Sequence, residues 1–574
     1  MIVKTRTIRW PVIAVIRFLL SKDFRGIGGV LMKKWFIFIA CLWAFQASAQ
    51  TTYPAASCSQ AAVAAAITAE QAHRVDGDII SIPSGSCTWT GTQSINQTFS
   101  NSVVIQGAGA ISSTTGGAST TGTDNTVIID NTNGAQGSLV HFTTVLGKTF
   151  RWTGISLQGN GSSVQESAGI ITIDGTSTAV RVDHSHFFIN NNISQGVNLS
   201  GGIQGVADHN YFNSNSNDLT NDIGCRNGLT WNGDSSGAGH GPWADSDHWG
   251  TSQFFFIEDN RFFDGDELEV SNSGRCVFRH NTVTGSSGST ESALQIYWHG
   301  QQTGVLRGGR AVEFYNNSFV SSGNNGNAPI TLNSGTALAW GNSISGGYQN
   351  ALQISYNFRN LAGGGGNYNY PPPPAGWGFC GSAAGGPTNW DGNHNTTSGY
   401  PCLGQPGRGK GDLLSGTTFA TLVNSTTGTV AWPHEALSPI YVWNNTYNPQ
   451  FYTGTPLVGN NCAGSSTSIC ANNQDYYQQF GNGGNTGSFN GTSGIGQGLL
   501  SARPSTCTGG TDPMTSGAAP GVGYWATDTN TLYVCNPTNT WTPYYTPYSY
   551  PHPLTGGTSG ASVNSPTNLT ATVQ

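Results

Sequence analysis

A six-residue shape recurs along the chain: VDHSHF, ADHNYF, IEDNRF, FRHNTV, FYNNSF, AWGNSI and VWNNTY. Aligned on the fourth position, these copies place Ser185, Asn210, Asn260, Asn281, Asn317, Asn342 and Asn445 in one register. The spacings are 25, 50, 21, 36, 25 and 103 residues. Such self-similarity marks a structure built by stacking one unit on the next. A unit of 21–25 residues holds three short strands and three turns, with doubled coils and loop insertions expected in the longer gaps. In a parallel β-helix the coils stack at ~4.8 Å, so equivalent residues form columns. A turn that bends the same way in every coil favours a residue tolerant of left-handed backbone. Asn is one, and stacked amides hydrogen-bond along the column. The apolar residue two places later points into the core, because side chains alternate along a strand. A β-sandwich with asparagine turns offers no reason to repeat one shape seven times.

Composition agrees. Charged residues are 9% of the chain, against roughly 25% in ordinary globular proteins. Glycine numbers 80 and the hydrophobic share is 36%, which suits short strands joined by tight turns and is too apolar for disorder. Net charge is -7, with no basic stripe, so a nucleic-acid partner is not expected.

The ends read separately. Met32-Lys33-Lys34, the apolar run WFIFIACLWAF and Ala47-Ser48-Ala49 form a bacterial-type signal peptide, so 1–49 is a leader cleaved near Gln50. The protein is then expected to be secreted or at the cell surface, with no stable membrane insertion after signal removal. Residues 1–31 precede a complete signal; a mis-assigned start is one account, a long leader or anchor another. Loss of Cys41 leaves ten cysteines. Nearest-neighbour pairing gives Cys58–Cys87, Cys225–Cys276, Cys380–Cys402, Cys462–Cys470 and Cys507–Cys535, a connectivity that sequence alone does not prove. SQAAVAAAITAEQAHRV (59–75) has apolar residues at helical spacing behind a Ser N-cap and would close one end of the solenoid. The solenoid with this cap spans 50–452 and a low-charge β-rich region 453–554. In the latter, YWATDTNTLYVCNPTNTWTPYY reads as two or three strands and resembles hairpin modules of extracellular proteins such as phage tail fibres. Residues 555–574 form a linker ending in SPTNLTATVQ, which resembles the opening strand of a fibronectin type III domain.

The hexamers resemble the repeats of secreted right-handed parallel β-helix proteins, the pectate-lyase-like superfamily. So do RCVFRHNTVTG, YWHG, RGGRAVEFYNNSF, GYPCLGQPGRG and SPIYVWNNTYN, in that order. The resemblance covers about residues 58–450. It implies an all-β fold, a right-handed parallel β-helix with an N-terminal helical cap and a small β-rich C-terminal tail. It also implies a polysaccharide partner.

Charge is uneven. Residues 208–313 hold 20 Asp, Glu, Lys and Arg, whereas 314–574 hold 10. Two positions before the ladder residue stand Asp183, Asp208, Glu258, Arg279, Tyr315, Trp340 and Trp443. That column should face outward, as in a glycan groove. Two insertions could wall it. Residues 213–250 carry His240, Trp243, Asp245, Asp247, His248 and Trp249, and residues 285–309 carry Glu291, His299 and Arg307. Substrate contacts are expected from His240, Trp243, His248, Trp249, Tyr315 and Trp340. The run DGDELE supplies Asp264, Asp266, Glu267 and Glu269, either as oxygen ligands for Ca2+ or as a solvated acidic turn. No organic cofactor is expected. A polysaccharide lyase needs a base and a cation at the uronate carboxylate; Arg279, His280, His299, Arg307 and Arg310 are the candidates. A glycoside hydrolase would use paired carboxylates among Asp245, Asp247, Asp264 and Asp266, though NTD and RIK, part of the polygalacturonase set, are absent. The third reading is a non-catalytic glycan binder or adhesin. Oligomeric state is not legible.

Overall fold

The computed structural model describes residues 49–556, apart from 92–94, 133–136, 160–168, 190–194, 215–220, 227–245, 272, 286–295, 299–308, 325–327, 356–405, 412–434, 453, 462–469, 482–486 and 513–515. The chain divides into Met1–Ala49 and Gln50–Gln574, and the described structure from Gln50 onward belongs to the second unit. Among the described residues, no helix is long and apolar enough to cross a membrane.

The fold is a right-handed parallel β-helix, the hand that right-twisted strands favour in parallel crossovers. Each coil visits three parallel sheets. Ala179–Asp183 lies in sheet 1, His186–Ile189 in sheet 2 and Gln195–Ser200 in sheet 3, and Gly205–Asp208 returns to sheet 1. The sheets hold 12, 10 and 10 strands, and their inner faces form one continuous apolar core. Sheet-1 strands continue to Tyr476–Gln478 and sheet-3 strands to Val458–Asn461. A helix, α1 (Gln60–His73), is capped by the Ser59 hydroxyl and lays Val63, Ala66 and Ile67 on the first coils. It ends where Arg74 turns left-handed.

The asparagine column is a ladder. The backbone N–H groups of Asn210, Asn260, Asn281, Asn317 and Asn342 donate to the side-chain Oδ1 of the next rung at 2.9, 2.9, 2.9, 3.1 and 3.0 Å. The Nδ2 groups reach the same oxygens. Ser185 joins through its backbone N–H, which donates to Asn210 at 3.1 Å. Two expectations change in detail. The left-handed residue is not the ladder residue but its predecessor: His184, His209, Asp259, His280, Asn316, Gly341 and Asn444 all have φ between 48° and 66°. The ladder residue is needed for its amide. There are also no doubled coils between the ladder positions. Gly205–Asp208 pairs directly with Phe255–Glu258, and Thr336–Trp340 with Ile440–Trp443, so the long gaps are insertions within single coils.

The apolar residues two places after the ladder do point inward. Phe187, Phe212 and Phe262 stack at 4.8 and 4.9 Å, the strand spacing itself. Cys58–Cys87, Cys225–Cys276 and Cys507–Cys535 are disulfides with Cα separations of 5.7, 6.6 and 5.8 Å. Cys470 is also disulfide-bonded, while Cys380, Cys402 and Cys462 lie outside the described residues.

Beyond the solenoid, Ile495–Gly498, Gly523–Ala526, Thr531–Cys535 and Trp541–Tyr545 make a four-stranded sheet. This module packs sideways on sheet 1. Trp525, Leu532, Val534 and Tyr545 share a core with Leu338, Tyr441 and Trp443.

Candidate functional site

Alternation along each strand sorts sheet 1 into two faces. Phe255, Ile257, Cys276, Phe278, Val312 and Phe314 point into the solenoid. Phe256, Val277, Ala311 and Tyr315 form a separate cluster on the outer face. The outward column read from the repeats is in register: Asp183, Asp208, Glu258, Arg279, Tyr315, Trp340 and Trp443 are successive strand partners. Both flanks of this face carry insertions. The chain leaves sheet 3 at Arg226, Trp298 and Ser355, and re-enters sheet 1 at Phe255, Ala311 and Ile440. At the opposite corner, residues 107–125 carry a small hairpin that reaches Asp259, Arg261 and Thr282.

Most of the column is roofed by the chain itself. After Trp541–Tyr545, residues 546–556 run along sheet 1 as a strap. The Arg279 guanidinium donates to the carbonyls of Tyr548 and Ser549 at 2.9 and 2.8 Å, to Glu258 Oε2 at 2.7 Å and to the Tyr315 hydroxyl at 2.7 Å. The His552 N–H donates to Glu258 Oε1 at 2.7 Å. The Tyr550 hydroxyl donates to Asp259 at 2.7 Å, and its ring stacks on His280 at 3.6 Å. Glu313 accepts from the Gly250 N–H and the Tyr545 hydroxyl at 2.8 and 2.9 Å. Burial pushes its carboxyl up to about 7. His280 and His552 are depressed to about 4, first by burial and then by the Arg279 charge. Arg279 is opposed by burial, but Tyr315 and Glu258 prevail and raise its pKa, so it acts as a cation and not as a base.

The strap ends beside an open cluster. The Arg181 guanidinium donates to the Leu554 carbonyl at 3.1 Å and grips Asp208 through two bonds of 2.8 Å. Arg151 grips Asp183 at 2.8 and 2.6 Å. Burial works against the Asp183 charge, but Arg151, His184 and Arg181 outweigh it and hold the carboxyl at about 2. His184 Nδ1 lies 2.8 Å from Asp183, and His209 Nδ1 lies 3.0 Å from Asp208. The two imidazoles stack at 5.2 Å, and His184 is exposed. Burial lowers the His209 pKa, yet its bond to Asp208 prevails and the net shift is upward. Ligand-capable atoms of Asp183, His184 and Asp208 lie within 4.8 Å of one another, the one such group among the described residues.

The remaining sequence candidates fall in several places. Tyr315 and Trp340 stack at 4.7 Å, Tyr315 being buried and Trp340 half-buried beneath Trp525. The Trp249 indole donates to the Tyr544 hydroxyl. His248 lies beside Ser246. Arg310 is buried against Asp247 at 2.7 Å. Asp264 occupies a left-handed turn. Glu267 and Glu269 alternate with the core residues Leu268 and Val270 on sheet 3, a different sheet from Arg279. The Asp266 side chain, His240, Trp243, Asp245, His299 and Arg307 lie outside the described residues. Sequence reasoning placed Asp183 and Asp208 in the column but passed over Arg151, Arg181, His184 and His209. The available signal was the Asp-His pair, repeated at one register in VDHSHF and ADHNYF.

Fold and face together define a parallel β-helix protein whose C-terminal module folds back over its own sheet 1. No family model, curated protein or solved structure matches the chain.

Proposed function

We propose that this is an exported protein of the pectate-lyase-like kind that engages acidic polysaccharide on the outer face of sheet 1, at the open cluster beside Leu554. The observation that carries the reading is the convergence of Asp183, His184 and Asp208 with Arg151, Arg181 and His209 at one end of the column, where His184 is exposed, Arg151 and His209 are half-buried, and Asp183, Asp208 and Arg181 are buried beneath them. Eliminative cleavage is the finer reading. It requires a base for the proton α to a uronate carboxyl and positive charge at that carboxyl. His184, with Nδ1 held by Asp183, presents its other nitrogen as base. Arg181 and Arg151 supply the charge, with His209 adding to it when protonated, the form that its bond to Asp208 favours. A metal bound here would add Lewis-acid charge at the carboxylate. Two carboxylates and an imidazole fit a transition ion better than Ca2+, which takes oxygen ligands, and both carboxylates are already engaged by guanidinium groups.

The test is incubation with a panel of uronate polysaccharides, with and without chelator. Unsaturated ends that disappear in His184→Ala support elimination. New reducing ends without unsaturation would mean hydrolysis. If no uronate polymer is bound or cut, the proposal is wrong. A second reading, glycan binding without catalysis, is favoured by the burial of Arg279 and Glu258 beneath the strap and of Glu313 beneath Gly250 and Tyr545. Binding without product would establish it.

A further inference from the structure

The contacts of the strap have the chemistry of a ligand. Arg279 receives two neighbouring carbonyl oxygens, from Tyr548 and Ser549, on two of its nitrogens. A carboxylate presents the same pair of acceptors to the planar fork of an arginine. Glu258 Oε1 receives a donor from the His552 N–H, and Asp259 receives one from the Tyr550 hydroxyl. Sugar hydroxyls are donors of that kind. The Tyr550 ring lies flat on His280, and the Arg279 guanidinium sits 4.7 Å over Phe256. Two acceptors and two donors around an aromatic floor are what a uronic acid residue offers, one carboxylate and several hydroxyls.

The strap is also held in a way that permits release. Residues 546–556 join no strand ladder and contain no cysteine. Their seat continues into the open cluster through Arg181, which bonds Asp208 and the Leu554 carbonyl together.

We propose that residues 546–556 are a displaceable cover on a carboxylate-binding cleft floored by Arg279, and that a uronate chain bound at the open cluster competes with them. This rests on the acidic-glycan reading above. The cover keeps Arg279 and Glu258 satisfied until a chain of matching chemistry extends along sheet 1. Affinity of the cleft is then reduced by the fraction of molecules with the cover closed.

The experiment uses the full chain and oligogalacturonate as probe, with hydrogen exchange and calorimetry. Binding should strip protection from the His552 amide and leave the Gly523–Ala526 strand unchanged. Tyr550→Ala removes the stacked ring and the bond to Asp259 at a partly exposed position, so the fold should survive. It should raise affinity about tenfold. If wild type binds the probe while the His552 amide stays protected and Tyr550→Ala leaves affinity unaltered, the cover is a fixed part of the fold and the acidic-glycan reading stands. Exchange of the His552 amide only through global unfolding overturns the cover without any ligand. If neither protein binds, and the His552 amide still exchanges by local opening, the acidic-glycan reading itself fails.

Discussion

Asn281 shows what one side chain does in this fold. Its Oδ1 accepts from the Asn260 backbone and side chain, its Nδ2 donates to the Ile257 carbonyl, and its own N–H goes to Asn317. Asn281→Ala would take the acceptor from the buried Asn260 N–H and the donor from the Ile257 carbonyl, while the Asn260 amide keeps the Ala207 and Glu258 carbonyls, at about 1–3 kcal/mol per group lost. A loss of roughly 3 kcal/mol or more in urea unfolding is expected. Asn316, one step before the next rung, has φ 56° and is exposed; there Asn316→Gly should be nearly neutral. The ladder was legible because one residue type repeats. The left-handed column was not, because His, Asp, Asn and Gly all satisfy it and so hide the constraint. Glu313 gives a pH signature at this scale. Its folded pKa of about 7 exceeds the ordinary value of 4.5. Between those values the unfolded chain is ionised and the folded one is not, so stability falls as pH rises through the window, by up to about 3 kcal/mol, and levels off above 7. His280 and His552 act oppositely. Their folded values of about 4 lie below 6.5, so they add stability as pH climbs from 4 to 6.5. Wild type should therefore be most stable near pH 6.5. Above it Glu313 and His209, both raised in the fold, lose their contributions, so Glu313→Gln should shrink the decline without abolishing it, as read from urea midpoints between pH 4 and 8.

Between elements, Asp259 joins segments from the two ends of the described structure. Its Oδ1 accepts from the Gly116 N–H of the hairpin at 2.6 Å and from the Tyr550 hydroxyl of the strap at 2.7 Å. Asp259→Gly keeps the left-handed backbone, φ 58°, and removes only the carboxylate. Both the hairpin and the strap should then lose protection together, seen as faster exchange at Gly116 and His552 and new proteolytic cuts near Tyr550. Faster exchange at one without the other would mean that the two are anchored independently. Neither element was legible as a cover. TPYSYPHPL has no strand or helix period, and its partners on sheet 1 lie some 270 to 370 residues away. Outward alternation told which side chains leave the solenoid. It could not tell whether water or another part of the chain meets them, which is why Arg279, read as groove-lining, is wholly buried.

At the scale of the whole molecule, the parallel β-helix and its helical cap were legible from period and caps, whereas the sideways docking of the C-terminal module was not. That docking changes what the solenoid needs. A stack of coils contacts mainly its neighbours, so its stability is nearly a sum of local terms. Here the module bridges coils, because Trp525 reaches Trp340 and Trp443, Tyr544 meets Trp249 and Tyr441, and Leu554 reaches Val206 and Arg181. The covered surface is apolar: Phe254, Phe256, Val277, Leu338 and Tyr441 are fully buried on the outer side of sheet 1. A chain ending at residue 480 would retain the sheet-1 strand Tyr476–Gln478 and expose these side chains as one contiguous patch, a known route to association. It should elute as aggregate or higher oligomer in gel filtration and bind a hydrophobic dye. Tyr550→Ala in the full chain loosens only the strap and should stay monodisperse. If the shortened chain is equally monodisperse and cooperative in unfolding, the module is an appendage and sheet 1 tolerates an open outer face.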